Sequence, residues 1–485
     1  MILKFCARSA RMVSVVCLLL LSCAAFAAPA TRANTAQALM ISDVHFDPFH
    51  DPAKVKVLAA APASGWEAIF AAPDSPSRQQ DLDKLQTSCR AKGEDTSYAL
   101  LKSALLAIRA HAQGVRFVTV SGDLLAHKFS CRWAQTMPGA TPADYETFVE
   151  KTLQYQAERL QQALPHATLY LSLGNNDSNC DDYKLDTGTP FLDAVAKIVG
   201  HGVGSTWNAE AAKDFANGGY YSVTMAAPMQ RTRLIVVNDI FLSTGYTHCS
   251  GHADAAPGAA QMQWLQQQLD AARKLHQRVW VMGHIPPGVN PYSTLSHGPD
   301  AVCSGGKPKM FMSSEVLGDT LAGNASVIPL AIFAHTHMDE LRLLGPANKA
   351  GEAQNQTVAL KMVSSISPVD GNHPSFTVAR VSPATATLAD YTVYVAADAQ
   401  GSAWAPEYTF SAAYEHSGFT PATLRAIISG FSADPGAATT ASQNYLRFYT
   451  SGTLTRELAP FWPAYVCALS NTHAADYTAC VCGGK

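Results

Sequence analysis

Five short groups in this chain gather residue types that bind cations and activate water: Asp43-Val44-His45, Gly122-Asp123, Gly174-Asn175-Asn176-Asp177, Gly283-His284 and His335-Thr336-His337. Each alone is ordinary, because Gly-Asp is turn chemistry and a lone histidine is more often a surface or core residue than a ligand. The chain supplies its own controls: Gly200-His201 and Gly251-His252 pair the same residues but follow no apolar run. As a set, five groups at the ends of five apolar runs are hard to explain as separate accidents. Two divalent ions about 3.5–4 Å apart need a bridging carboxylate, neutral nitrogen or oxygen ligands on each, and positions open to water and substrate oxygens. Asp123 is the natural bridge. Asp43, His45 and His337 suit one ion, and Asn175, His284 and His335 the other. A bridging hydroxide acidified by both ions would attack phosphorus in line.

The elements that must position these groups are legible as β-rich runs that stop abruptly in polar residues: ALMISDVH (38–45), VRFVTVSGD (115–123), ATLYLSLGNND (167–177), RLIVVNDI (233–240), RVWVMGH (278–284) and IPLAIFAHTH (328–337). Between several of them, TSYALLKSALLAIRAHA, YETFVEKTLQYQAERLQQAL and QMQWLQQQLDAARKLH carry apolar residues at three- and four-residue intervals, the pattern of helices covering a sheet. Alternating strands and helices predict an α/β fold whose strand carboxyl ends converge on a site. Past residue 355, TVALKMVSS, SFTVARVS and TLADYTVYVA read as consecutive strands of a second sheet. From about residue 404 the chain turns aromatic-rich and helical, which predicts a small appendage. The loop Pro291 to Lys309, rich in Gly, Ser and Pro, is a candidate rim or lid.

With 485 residues, 47% of them hydrophobic, the chain can bury a large core, and a net charge of -3 gives no electrostatic case for nucleic acid. Lys4, Arg8 and Arg11 precede the run VSVVCLLLLSCAAFAA, and Ala25-Phe26-Ala27 fits a cleavage site, so residues 1–27 read as a secretory signal. Acylation at Cys23 is the less favoured alternative, and no later stretch reads as transmembrane. Eight of the 11 cysteines lie beyond this segment, an even number that reads as disulfides in an oxidising compartment. Among the possible pairings, a link within Cys467, Cys480 and Cys482 is favoured by their closeness in sequence.

The order DVH, GD, GN, GH and HTH resembles that of the calcineurin-like metallophosphoesterases. DVHFD, GDLLAH, GHIPPG (283–288), HTHMDE (335–340), SISPVDGNHPSF (365–376) and WAPEYTFSAAY (404–414) are similar to the acid sphingomyelinase-like phosphodiesterase branch. The resemblance covers roughly residues 38 to 415. It implies a four-layer α/β/β/α sandwich spanning residues 36–400, followed by a helical, cysteine-containing subdomain at 401–485. It also implies two divalent ions, zinc by the branch, although the donor set equally suits manganese or iron.

The family commonly has GNH where this chain has Gly174-Asn175-Asn176, so Asn176 stands where a histidine would face the leaving group. An amide cannot protonate an alkoxide, though it can donate to a phosphoryl oxygen. The resemblance makes His127, four residues after Asp123, the replacement acid, leaves Asp177 to fix the turn, and offers His373 as a substrate contact. GNND also resembles endopolyphosphatases, whose anhydride leaving groups need less protonation. Purple acid phosphatases are disfavoured, because GDLLAHKF lacks their tyrosine ligand, and no room precedes the first strand for a saposin-like lipid-presenting domain. The expected partner is a soluble phosphodiester, nucleotide or polyphosphate, with no call on oligomeric state. The competing class is an exported metal-binding protein without catalysis.

Overall fold

The computed structural model describes residues 35–483, apart from 297, 346–355, 452 and 454–457. The proposed signal, residues 1–27, lies outside the described residues. Twelve strands form two six-stranded sheets. They are β1 (Ala36–Ile41), β2 (Val115–Ser121), β3 (Thr168–Ser172), β4 (Tyr221–Thr224), β5 (Thr232–Val236), β6 (Arg278–Met282), β7 (Leu330–Phe333), β8 (Glu340–Leu344), β9 (Val358–Met362), β10 (Ser375–Ser382), β11 (Thr387–Ala396) and β12 (Trp404–Thr409). The first sheet runs β12-β11-β10-β1-β2-β3 and the second β4-β5-β6-β7-β9-β8. In the first, β1, β2 and β3 are parallel and β10 to β12 add antiparallel. In the second, β5, β6, β7 and β9 are parallel, with β4 and β8 antiparallel at the edges.

The side-chain period of two divides the second sheet between two cores. Leu234, Val236, Trp280, Met282, Leu330 and Ile332 face the first sheet across a shared apolar layer. Their neighbours Ile235, Val279, Val281, Ala331 and Phe333 pack outward with Leu265 and Leu269 of the helix Ala256–Lys274 and with Leu317 and Leu321 of the helix Val316–Gly323. Trp280 bridges the layers: its ring meets Phe117 of β2 edge-on at 5.6 Å, and its indole N–H donates to the Ala386 carbonyl at 2.7 Å. Over the first sheet, the helix Tyr98–His111 buries Leu101, Ala104, Leu105 and Ile108, a three- and four-residue spacing that makes one continuous stripe. The helix Pro142–Ala163 lies beside it and starts at a reciprocal Thr141–Asp144 capping box. Helices, two facing sheets and helices again make the four-layer α/β/β/α arrangement, with further helices at the C-terminal end.

Two sequence expectations change. The three strands after residue 355 do not form one sheet. Only β9 enters the second sheet, beside β7, whereas β10 and β11 extend the first sheet beyond β1. Every one of these segments reads as a strand, but nothing in its composition selects its neighbour. The aromatic segment at 404 is strand β12 before it becomes helical, pairing with β11. The eight cysteines form Cys89–Cys131, Cys180–Cys249, Cys303–Cys482 and Cys467–Cys480, the last of these within the favoured trio. The rim loop contains two short helices, Pro291–Leu295 and Pro299–Cys303, and is tied through Cys303 to the helix Ala474–Cys482.

Glu407 on β12 carries a buried Oε2 that has no hydrogen-bond partner among the described residues. Burial first, and then the charge of Asp339, push its carboxyl up to about 8. A carboxyl raised in the folded state binds its proton more tightly there than in the unfolded chain, so stability declines as pH rises from the ordinary carboxyl range through that value. Glu407→Gln should therefore melt at a higher temperature than the native chain near about pH 8, with the gap closing toward about pH 5. Thermal unfolding at the two pH values checks this.

Candidate metal centre

Every sequence-predicted ligand follows a strand of the parallel cores: Asp43 and His45 follow β1, Asp123 follows β2, Asn175 and Asn176 follow β3, His284 follows β6, and His335 and His337 follow β7. The strand ends are stitched to one another by backbone bonds. Asp43 N–H donates to Gly122 O, His45 N–H to Asp123 O, and Ser367 N–H to Asp43 O. Five of these candidate residues hold left-handed backbone, with φ of 45° at Asp43, 44° at His45, 55° at Asp123, 72° at His335 and 65° at His337. Such conformations cost about 1–3 kcal/mol each in a residue with a side chain, and they persist where the surrounding structure imposes them. They also break the strand period, so the rings of His335 and His337 no longer need point to opposite faces.

The side chains converge as two sets around one carboxylate. In the first, His45 Nε2 lies 3.1 Å from His337 Nε2, and Asp43 Oδ1 is 3.8 and 3.4 Å from the two. In the second, His284 Nε2 is 3.1 Å from Asn175 Oδ1 and 3.3 Å from His335 Nδ1. Asp123 Oδ2 stands between them, 3.5 Å from His45 Nε2 and 3.2 Å from His284 Nε2. His45 Nδ1 donates to Leu125 O, His284 Nδ1 donates to Ser121 O and His335 Nε2 meets Tyr183 Oη, while His337 Nδ1 faces Asp370 at 3.4 Å with no hydrogen bond among the described residues. The inward nitrogens are thereby the ones left free to face an ion or, without one, to take up a proton.

The fit to cations follows from this electrostatics. Asp43 and Asp123 are buried, and Asp43 Oδ1 has no hydrogen-bond partner among the described residues. Burial disfavours protonated His45 and His284, yet the surrounding carboxylates, Asp123 and Asp43 among them, raise both rings to about 10. Burial and the charge of His284 lower His335 to about 3. The buried negative charge thus recruits protons onto nitrogens that face other nitrogens, an arrangement in which a divalent ion satisfies carboxylates and lone pairs together. Asp43, His45 and Asp123 form one group able to hold an ion, and Asp123, His284 and His335 form another; His45, His127 and His337 form a third.

The remaining predicted residues divide. His127 is half-buried, stacks on His45 with ring centroids 4.0 Å apart, and directs Nδ1 to Asp95 Oδ1 at 3.0 Å. Burial opposes ionisation of Asp95, but the His127 charge and hydrogen bond outweigh it and hold the carboxyl well below its usual range. Asn176 turns inward: its backbone N–H donates to Asp123 Oδ1 at 2.9 Å and its side-chain Nδ2 to Asp123 Oδ2 at 2.8 Å. Asp177 accepts from the N–H groups of Leu124, Leu125 and Gly174, which fixes the turn. His373 is half-buried in the turn before β10, and among the described residues its ring has no hydrogen bond to the cluster.

Sequence reasoning passed over the supporting carboxylates. Asp239, just after β5, accepts from His284 N–H at 2.7 Å and had a strand-end signal. Asp95 and Asp370 lie in polar loops with none. Asp182 and Tyr183 close the LSLGNNDSNCDDY stretch without belonging to any recognised spacing.

The clustered histidines and carboxylates suit a hydrolase of phosphoric esters, and the relatives found by comparison with known proteins are named as phosphodiesterases. No family model matches the chain. The cyclic GMP-AMP phosphodiesterase SMPDL3A of Mus musculus is 24% identical over 471 residues, 94% of each chain. The acid sphingomyelinase-like phosphodiesterase 3b of Homo sapiens is 22% identical over 469 residues, 93% of this chain and 91% of that one. An endopolyphosphatase of Cryptococcus neoformans is 32% identical over 123 residues, 25% of this chain and 17% of that one. The chain is thus related to the acid sphingomyelinase-like phosphodiesterases over nearly its whole length.

A side chain at Gly174 would place its Cβ on the Asp123 carboxylate. Gly174→Ala should therefore cut the divalent metal retained by the purified chain, read by elemental analysis. Gly430→Ala, whose added methyl meets nothing within 4 Å, should leave it unchanged.

Proposed function

We propose that the chain is an exported hydrolase of phosphoric esters that cleaves phosphodiester bonds with two divalent ions, zinc by preference. The observation that carries this reading is Asp123 Oδ2, 3.5 Å from the histidine of one set and 3.2 Å from that of the other. Asp43, His45 and His337 would hold the first ion, Asn175, His284 and His335 the second, and Asp123 both. Ions bound there supply Lewis acidity to a phosphoryl group and acidify water. The chain's own residues do the rest. Asn176, with two N–H groups on Asp123, holds that carboxylate aimed between the two sets. His127, with Nδ1 held by Asp95, presents Nε2 as the atom that gives a proton to the leaving oxygen.

Soluble diesters, including cyclic dinucleotides of the kind named for the mouse relative, are the favoured substrate class. Four disulfides support an oxidising, extracytoplasmic setting, and no helix among the described residues is long and apolar enough to cross a membrane. Phosphoanhydride hydrolysis is the second reading. It is favoured by Asn176, which faces Asp123 and offers no acid at the position where the family it resembles commonly has histidine.

The purified, disulfide-bonded chain supplied with zinc or manganese should hydrolyse a bis-aryl phosphodiester, and Asp123→Asn should lose at least about 100-fold in rate. No turnover by a chain holding two ions, together with release of phosphate from polyphosphate, would transfer the assignment to the second reading. His127→Ala should cost about 100-fold or more on alkyl diesters, whose leaving groups need a proton, and little on aryl diesters. Comparing the two substrate series on one preparation checks the role of His127.

A further inference from the structure

The stretch that opens at β3 ends in Asp182-Tyr183, and these two consecutive residues grip the two members of the second set that are neither carboxylate nor His284. Asn175 Nδ2 donates to Asp182 Oδ1 at 2.8 Å. A carboxylate only accepts, so the amide must turn its NH2 toward Asp182, which leaves Asn175 Oδ1 facing His284 Nε2. Tyr183 Oη lies 3.2 Å from His335 Nε2. With Nδ1 turned inward as the lone pair, Nε2 carries the proton and donates it to the phenol oxygen. One neighbour therefore sets the flip of the asparagine, and the next sets the tautomer of the histidine.

The local backbone is arranged for this task. Tyr183 has a φ of 58°, a left-handed conformation that is a rare outlier for a bulky residue. It is held there from both sides: Tyr183 N–H donates to Asn175 O at 2.9 Å, and Thr247 N–H donates to Tyr183 O at 3.1 Å. The Cys180–Cys249 disulfide fastens the same two segments together. Gly245 leaves the space the ring occupies, since a Cβ there would lie 2.9 Å from Tyr183 Cδ1. Burial and the Asp182 and Asp123 charges raise the Tyr183 phenol above its ordinary range, which keeps it a neutral hydrogen-bonding group.

We infer that Asp182 and Tyr183 are positioning residues for the second metal ion, and that through Asn175 and His335 they decide its occupancy while leaving the first ion untouched. The inference rests on the two-ion reading above. The first set has separate supports, Leu125 O for His45 and Asp370 for His337, so the two sets are tuned independently.

The test is stepwise zinc binding by the full disulfide-bonded chain, stripped with a chelator and titrated against a chromophoric chelator. The native chain should take up two zinc ions in two steps. Tyr183→Phe and Asp182→Ala should each weaken one step by about 10–100-fold and leave the other unchanged, the usual effect of removing a partner behind a ligand. Asp182→Asn keeps an acceptor oxygen in place and should retain more affinity than Asp182→Ala. Matching thermal unfolding of the metal-free chains excludes a fold defect. Two unchanged steps in both Tyr183→Phe and Asp182→Ala would overturn the inference, and so would equal weakening of both steps. A native chain that took up fewer than two ions would instead overturn the two-ion reading itself.

Discussion

Negative charge buried at the meeting point of two sheets is the constraint from which the rest of this structure follows. Asp43 and Asp123 sit out of water where the carboxyl ends of parallel strands converge, and ionised carboxylates there are tolerable only with cations or donors around them. The chain answers with four imidazoles and with amide donors from Asn176, and it sets a further partner behind each ring. It also accepts left-handed backbone at five positions. The stability of the surrounding sandwich, with its continuous inner core, is what makes that local strain sustainable.

The same constraint explains a second polar network beneath the His335-Thr336-His337 turn. Glu340 on β8 accepts from Thr336 Oγ1, and from Arg342 through Nε and Nη2. Asp339 pairs with the buried amine of Lys361 on β9 and accepts from Tyr408 of β12. Charged groups enclosed by apolar strands hold the turn from below, and the C-terminal helices close over them: Asp339 N–H donates to Tyr449 O. The helical region beyond β12 thus contributes to the rigidity of the site, since one of its carbonyls is bonded two residues from a histidine of the cluster.

What could be read in the sequence was whatever repeats within an element. Apolar runs ending in Asp, Asn or His gave β1, β2, β3, β5, β6 and β7 and brought together all seven candidate ligands. Strand β4, only four residues long, has no room to show a period, and β8, ELRLL, hides its character because Glu340 and Arg342 neutralise each other inside the protein. Proline and glutamate mask β12 in the same way. The allotment of β9 to one sheet and of β10 and β11 to the other depends on long-range pairing. The supporting residues stayed invisible for a related reason. Asp95 reaches His127, 32 positions away, and Asp370 comes within 3.4 Å of His337 across 33, separations that only a completed fold closes.

The disulfide between Cys303 and Cys482 gives the site a timetable. The segment after His284 packs its Val289 against Cys467, Ala468 and Tyr477, and the loop that follows is fastened by a cysteine 179 residues downstream. Until those intervening residues have been synthesised and the two thiols oxidised, that loop lacks its clasp. The strands that present the ligands are made early and the clasp late. Completion of that wall is thus coupled to the oxidation of two thiols far apart in the chain, the last step its cysteines allow.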